Sequence, residues 1–365
     1  MVDLRAAHAE VADEVEVGFK RVLEAASFIG GAEVRAFEQE YAAWCALPHC
    51  VGVANGTDAL ELALRAVGVR AGSQVVLPAN TFIATAEAAA RIGARPVLVD
   101  CDPVTYLLDT DAALAAVTAD TATIVPVHLF GQLAPVERLV GAGVPVVEDA
   151  AQCQGATRHG RPAGAWGVAS TSFYPGKNLG AYGDAGAVVT TDPAIAHRVR
   201  AMANHGGAAK YRHEVIGWNS RLDALQAVVL RSKLTRLAGW NAARRAAARR
   251  YHDLLRPLDV RRPAVLDGND HVWHLYVIRI PGDGTPRRRD QVRTRLTAAG
   301  IAAGVHYPAP VHRVPAFAHL GYPAGALPHA ERAATEILSL PLHPHITADQ
   351  QEFVVDRLAA ALREG

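Results

Sequence analysis

The sequence predicts an α/β protein: a mainly parallel sheet covered by helices on both faces, followed by a smaller α+β domain. Three observations carry this. Short β-branched apolar runs alternate with Ala-rich helical segments from residue 50 to about 190, the pattern of strands buried on both faces. A chain of 365 residues exceeds what one simple core supports, so one large and one smaller domain are expected. Beyond about residue 235 the alternation gives way to a long Arg/Ala helix, one apolar strand and further helices. This places the domains at 1–235 and 236–365.

The elements follow in order. "VDLRAAHAEVADEVEVGFKRVLEAA" carries acids early and reads as an amphipathic helix; it has no apolar signal-peptide core, so export is not expected. In "GVANGTDALELALRAVG" a short strand ends at Asn55-Gly56-Thr57-Asp58 and opens a helix. There Leu60, Ala63, Leu64 and Val67 share one face. "QVVLP" (74–78), "PVLVD" (96–100), "TIVPV" (123–127), "VPVVED" (144–149), "ASTSFY" (169–174) and "GAVVT" (186–190) read as buried strands. "ATAEAAARIG" is a helix between the first two. "RSKLTRLAGWNAARRAAARRYHDLL" repeats Arg at helical spacing and reads as a solvated helix face. "HVWHLYVIRI" (271–280) reads as a strand of the smaller domain.

Composition excludes several classes. A net charge of +1 points to no nucleic-acid or membrane surface. No segment approaches the roughly 18 unbroken apolar residues of a membrane span. Cys45, Cys50, Cys101 and Cys153 show no CxxC or zinc-like spacing, which fits a reduced, cytoplasmic protein.

The candidate chemistry starts at "SFYPGKNLG". Lys177 is one of four lysines in a chain with more than thirty arginines. Arg cannot be usefully deprotonated, whereas a desolvated Lys becomes an amine nucleophile. The irregular loop around it leaves a strand at the sheet's C-terminal edge, where open α/β sheets bind ligands. Asp149 ends "VPVVED" at the same edge, and Glu148 must point to the opposite face. A carboxylate there can cap the next helix, bind a metal or pair with a protonated pyridine nitrogen. Gly56 and Thr57 open a helix whose N-terminus suits a phosphate, or is a plain cap. Ser172 adds a hydroxyl five residues before Lys177. A lysine, a strand-end aspartate and a phosphate cradle together fit pyridoxal 5'-phosphate. Phe82, in "PANTFIAT", stacks on such a ring or packs in the core.

The same stretches resemble the DegT/DnrJ/EryC1/StrS sugar aminotransferases nearly end to end. The resemblance runs from "FIGGAEVRAFEQEYAAW" through "GVANGTDALELAL", "LPANTFIATAEA" and "VVEDAAQCQGA". It continues in "STSFYPGKNLGAYGDAGAVVT", "HEVIGWNSRLDALQAVVLRSKL" and "GVHYPAPVHRVPAF". It implies fold type I, like aspartate aminotransferase, and a homodimer with shared active sites. It makes 1–235 the cofactor-binding domain. Lys177 becomes the Schiff-base lysine, Asp149 the partner of the pyridine nitrogen, and Gly56, Thr57 and Ser172 the phosphate contacts. Phe82 becomes the ring stacker, Gln152 a polar contact to the cofactor, and Asn219 the residue reaching the neighbouring subunit's phosphate. Many relatives carry His where this chain has Gln154, which leaves that corner's contact open.

The implied reaction is transamination of a nucleotide-linked keto sugar, thymidine diphosphate being the commonest carrier, with L-glutamate as donor. Gly183-Asp184-Ala185-Gly186 and "VHYPAPVH" resemble the branch that aminates C3 more than C4. Tyr182, His306 and Tyr307 are then the candidate sugar contacts. The competing expectations are amination at C4, an aminocyclitol precursor as acceptor, and a non-catalytic cofactor-binding regulator. A dehydrating member would carry His in place of Lys177.

Overall fold

The computed structural model describes residues 2–207 and 211–363, so Lys210 lies outside the described residues. Among the described residues there are twelve strands: β1 His49–Val53, β2 Gln74–Pro78, β3 Arg95–Val99, β4 Thr121–Ile124, β5 Val147–Asp149 and β6 Thr157–Arg158. They continue as β7 Arg161–Pro162, β8 Val168–Ser172, β9 Gly186–Thr190, β10 Asn269–Asp270, β11 Tyr276–Arg279 and β12 Ile337–Leu340. β3, β2 and β4 pair in parallel, as do β5 and β8. The two groups meet through parallel bridges Ile124–Val146 and Val127–Asp149. β9 runs antiparallel to both β8 and β1. The spatial order is therefore β3-β2-β4-β5-β8-β9-β1, parallel except for β9, as expected.

β4 and β5 are shorter than the apolar runs suggested, and their meeting is reduced to single bridges. Pro126 and Pro145 sit inside those runs and cannot donate to a ladder.

Helices cover both faces. Gly56–Ala66, Ile83–Arg91 and Pro193–Ala203 close one core with Val53, Leu62, Leu64 and Leu77 fully buried. Gly31–Trp44 and the first half of Ala224–Leu254 close the other, around Phe37, Phe173 and Leu230. The N-terminal segment forms two helices, Leu4–Ala9 and Ala12–Ala25, the first capped by Asp3 through Ala6 N. All four cysteines are free thiols. Among the described residues no helix is long and apolar enough to cross a membrane.

The expected domain boundary at 235/236 falls inside the 31-residue helix Ala224–Leu254. Its first half belongs to the sheet's core, while Ala247, Ala248 and Tyr251 join the second core with Tyr276, Leu296, Leu340 and Leu358. That second core holds the antiparallel pair β11–β12 and the helices Arg287–Ala298 and Ala348–Arg363. The strand expected over 271–280 is regular only over Tyr276–Arg279. Its first half bends at Trp273 (φ 51°) and binds the large domain, through Val272 N to Gly131 O and Leu275 N to Phe130 O.

One buried ion pair ties β11 to the end of the helix Pro328–Glu336, just before β12. Arg279 Nε donates to Glu336 Oε2 at 2.8 Å, and both side chains are almost fully buried. Burial pushes the Glu336 carboxyl up, but hydrogen bonds from Arg332 and Arg279 outweigh it and hold the group below its ordinary value. Its stabilisation is thus complete above the ordinary carboxylate range and fades as pH falls through the lowered value. Glu336→Ala strands the Arg279 charge and should cost about 3–5 kcal/mol, read as a lower urea midpoint.

Candidate active site

A cleft of about 630 Å³ opens at the C-terminal ends of β1, β2, β5 and β8. It gathers Gly56, Thr57, Phe82, Asp149, Gln152, Ser172, Lys177, His306 and Tyr307. Nine of the eleven residues singled out in the sequence thus meet in one place, although they come from both domains. Tyr182 and Asn219 are not in the lining.

Lys177 sits on the turn after β8, its N–H donating to Tyr174 O at 2.8 Å. The turn is held tightly: a Cβ on Gly180 would lie 2.3 Å from Pro175 O, and Lys233 Nζ donates to Gly180 O at 2.7 Å. Burial pushes the Lys177 amine below its ordinary value, and the charge of Asp149 opposes this. Desolvation prevails, which makes the neutral, nucleophilic amine more accessible.

Asp149 ends β5 and is 6% exposed. Its Oδ2 accepts from Thr85 Oγ1 at 2.8 Å and its Oδ1 from Ala151 N at 3.2 Å. These donors fix the carboxylate's plane. Glu148 points the other way, as strand alternation requires. It accepts from Gly164 N at 2.9 Å and pairs with His128 Nε2 at 2.8 Å.

At the opposite end, Asn55 Oδ1 caps the helix through Asp58 N at 2.8 Å. The earlier N–H groups of Gly56 and Thr57 have no partner within a helix. A Cβ on Gly56 would lie 2.5 Å from Ser172 Cβ, so only glycine lets this helix end approach Ser172. The result is a small concave cradle of N–H groups and a hydroxyl, beside an amine and a carboxylate. This donor set fits pyridoxal phosphate. Among the described residues no group of three or more His, Cys, Asp or Glu could hold a metal ion.

Phe82 is half exposed, its ring 5.6 Å from that of Tyr307. Gln152 accepts from Phe130 N at 2.8 Å and donates to Tyr307 Oη at 3.0 Å, which fixes that phenol in the cleft. His306 pairs through Nδ1 with Ser339 Oγ at 2.8 Å. Burial, then the Lys177 charge, lowers its pKa and favours the neutral ring. Tyr182 instead pairs with His8 of the N-terminal helix and lies under Lys233 Nζ, 4.4 Å from its ring centre. Asn219 is exposed and bridged to Asn204, outside the cleft.

Two further residues, Thr85 and His274, escaped the sequence reading, and the contact left open at Gln154 is now defined. Thr85, inside an Ala-rich helix, orients Asp149. Gln154 Nε2 donates to Thr171 Oγ1 and Ser172 O, each at 2.9 Å, and so anchors the end of β8 beneath the cradle. His274 lines the cleft from the segment read as strand.

The chain is similar to known proteins over nearly its whole length. Residues 10–359 match the model of the DegT/DnrJ/EryC1/StrS aminotransferase family. A Saccharopolyspora erythraea protein named erythromycin biosynthesis sensory transduction protein EryC1 is 45% identical, covering 98% of both chains. A Streptomyces venezuelae dTDP-3-amino-3,4,6-trideoxy-alpha-D-glucose transaminase is 44% identical over 97% of this chain and 94% of its own. The crystal structure of S. venezuelae DesV in complex with a ketimine intermediate superimposes with TM-score 0.94 at 43% identity. It covers 98% of this chain and 97% of that one.

Proposed function

Because the chain belongs to the DegT/DnrJ/EryC1/StrS aminotransferase family and is a pyridoxal-phosphate-dependent sugar aminotransferase, we propose that it aminates C3 of a dTDP-linked keto-deoxysugar with L-glutamate as donor. The observation that carries this reading is the buried Lys177 amine, sharing one cleft with Asp149 and the Gly56–Thr57–Ser172 cradle. Pyridoxal phosphate, when bound, supplies an electron sink for a carbanion at the amino donor's α-carbon.

The chain's residues do the rest. Gly56, Thr57 and Ser172 hold the phosphate, and Phe82 covers the ring. Asp149 keeps the proton on the ring nitrogen. Lys177 would hold the cofactor's aldehyde end and, as a free amine, would move the proton as base and acid. His306 and Tyr307 face the sugar, where an imidazole and a phenol discriminate hydroxyl positions by pairing them or leaving them unpaired. Tyr182 reaches the sugar only if His8 releases it.

The relative named for a 3-amino sugar supports C3 and the dTDP carrier. A regulator that merely binds the cofactor is the competing class, and the relative named as a transaminase supports catalysis over it. Free cysteines suit a reducing cytoplasm. Separate incubations with glutamate and dTDP-linked 3-keto and 4-keto sugars, with the new amine located by NMR, test the assignment. Turnover of the 3-keto sugar is expected, and turnover of the 4-keto sugar alone would overturn the choice of carbon.

A homodimer is part of the proposal. Asn219 lies near exposed apolar Val215 and Ile216, the latter 96% exposed, a strip that a second copy would cover. Asn219 would then reach the partner's cradle. Mixed Lys177→Ala and Asn219→Ala subunits should recover activity above the sum of the separate homodimers, because one site per heterodimer is intact. A mixture no better than that sum contradicts the shared site.

A further inference from the structure

His274 is a buried ring in the cleft whose tautomer is set from outside it. Backbone carbonyls can only accept, so they are the fixed points. Gln154 O takes Asn241 Nδ2 at 2.9 Å, which turns Asn241 Oδ1 toward Asn178 Nδ2 at 3.0 Å. Val272 O takes the same Asn178 Nδ2 at 3.0 Å, so this amide nitrogen is identified twice. Asn178 Oδ1 therefore faces His274 Nδ1, at 3.2 Å, and can only accept. His274 carries its proton on Nδ1 and a lone pair on Nε2.

The relay is dry. Asn178 and Asn241 are each 3% exposed and His274 is 9% exposed. Burial, then the charges of Lys177 and Arg244, hold the imidazole well below its ordinary value, so it stays neutral. A ring whose Nε2 is left as an acceptor thus lines the same cleft as Lys177. Asn178 follows Lys177 in the chain, so one residue spacing links the relay to the amine.

We propose that His274 Nε2 accepts an N–H of the Lys177 amine and thereby aims the amine's lone pair at the substrate carbon from which it takes a proton. A primary amine rotates freely about its last carbon; holding one N–H restricts that rotation. With Asp149 engaged by the ring nitrogen, His274 and His306 are the neutral rings left in the cleft, and of the two only His274 is buried with its tautomer fixed by an amide oxygen. His274 is then a positioning residue. This inference rests on the transaminase reading, in which Lys177 is the base.

Two substitutions and one spectrum test it. His274→Leu removes the acceptor and should lower kcat about 100-fold, the scale of misplacing a reacting group by about 1 Å, with KM for both substrates nearly unchanged. His274→Gln, whose amide oxygen can accept, should restore at least a tenth of the wild-type kcat. In cofactor-free protein labelled with ¹⁵N-histidine, NMR at neutral pH should show His274 protonated at Nδ1 and bare at Nε2. An unchanged kcat in the Leu variant, a loss confined to KM, a Gln variant as poor as Leu, or an Nε2–H or doubly protonated ring overturns the proposal. Borohydride labelling of Lys177 reports separately on the transaminase reading, so failure of one is not read as failure of the other.

Discussion

Lys177→Ala loses transamination by about 10⁴-fold or more, because both the attachment point and the proton-transfer group disappear, and acid–base catalysis alone is worth 10²–10⁴-fold. Lys177→Arg should do no better: a guanidinium keeps its charge and offers no lone pair. The measurement that accompanies the rates is chemical. Borohydride added to wild-type protein loaded with pyridoxal phosphate should fix the cofactor to a single peptide, the one containing Lys177. Label on a peptide with Lys20, Lys210 or Lys233 would remove the site assignment. Lys233 is the demanding control. It too is buried, which lowers its amine to about 8, but its Nζ is committed to Gly180 O and the Tyr182 ring.

Asp149→Asn should bind cofactor and yet turn over on the order of 10³-fold more slowly. Each unit of proton affinity lost at the ring nitrogen is about tenfold, and a neutral amide cannot hold that proton. The amide oxygen still accepts from Ala151 N, and the amide NH2 can donate to Thr85 Oγ1 once that hydroxyl turns its proton to Thr81 Oγ1, so the local fold survives. The same change removes the charge that raises the Lys177 amine. That amine therefore falls further, and its pH midpoint should shift down. Near-normal turnover, or an unmoved midpoint, contradicts the roles given to Asp149.

How far the sequence carried depended on the range of each signal. Strand runs, the Asn55 cap and the helix after it are local, and β2 and β9 fall where the apolar runs end. Lys177 and Asp149 were legible because strand alternation and loop position place them at one edge of the sheet. His274 was not, because the bend at Trp273 is imposed by Phe130 and Gly131, more than a hundred residues away. Thr85 looked like an ordinary helix position until β5 brought Asp149 beside it. The role of Gln154 depends on the end of β8, and no spacing in the chain reveals that neighbour. Tyr182 stood beside the Lys177 loop in sequence but is claimed by His8 at the far N-terminus.

The helix Ala224–Leu254 belongs to both cores, and about 46 Å of continuous backbone hydrogen bonding joins them. A protein divided at 235 would cut the helix between Leu234 and Leu237, two residues that seal the sheet's lower face. The remainder would keep Trp240, Ala248 and Tyr251 without the turn that precedes them. Asn241, the midpoint of the amide relay to His274, would leave with the second piece. The shared helix should therefore make the two cores unfold together, and neither should survive as a module that recombination exchanges intact.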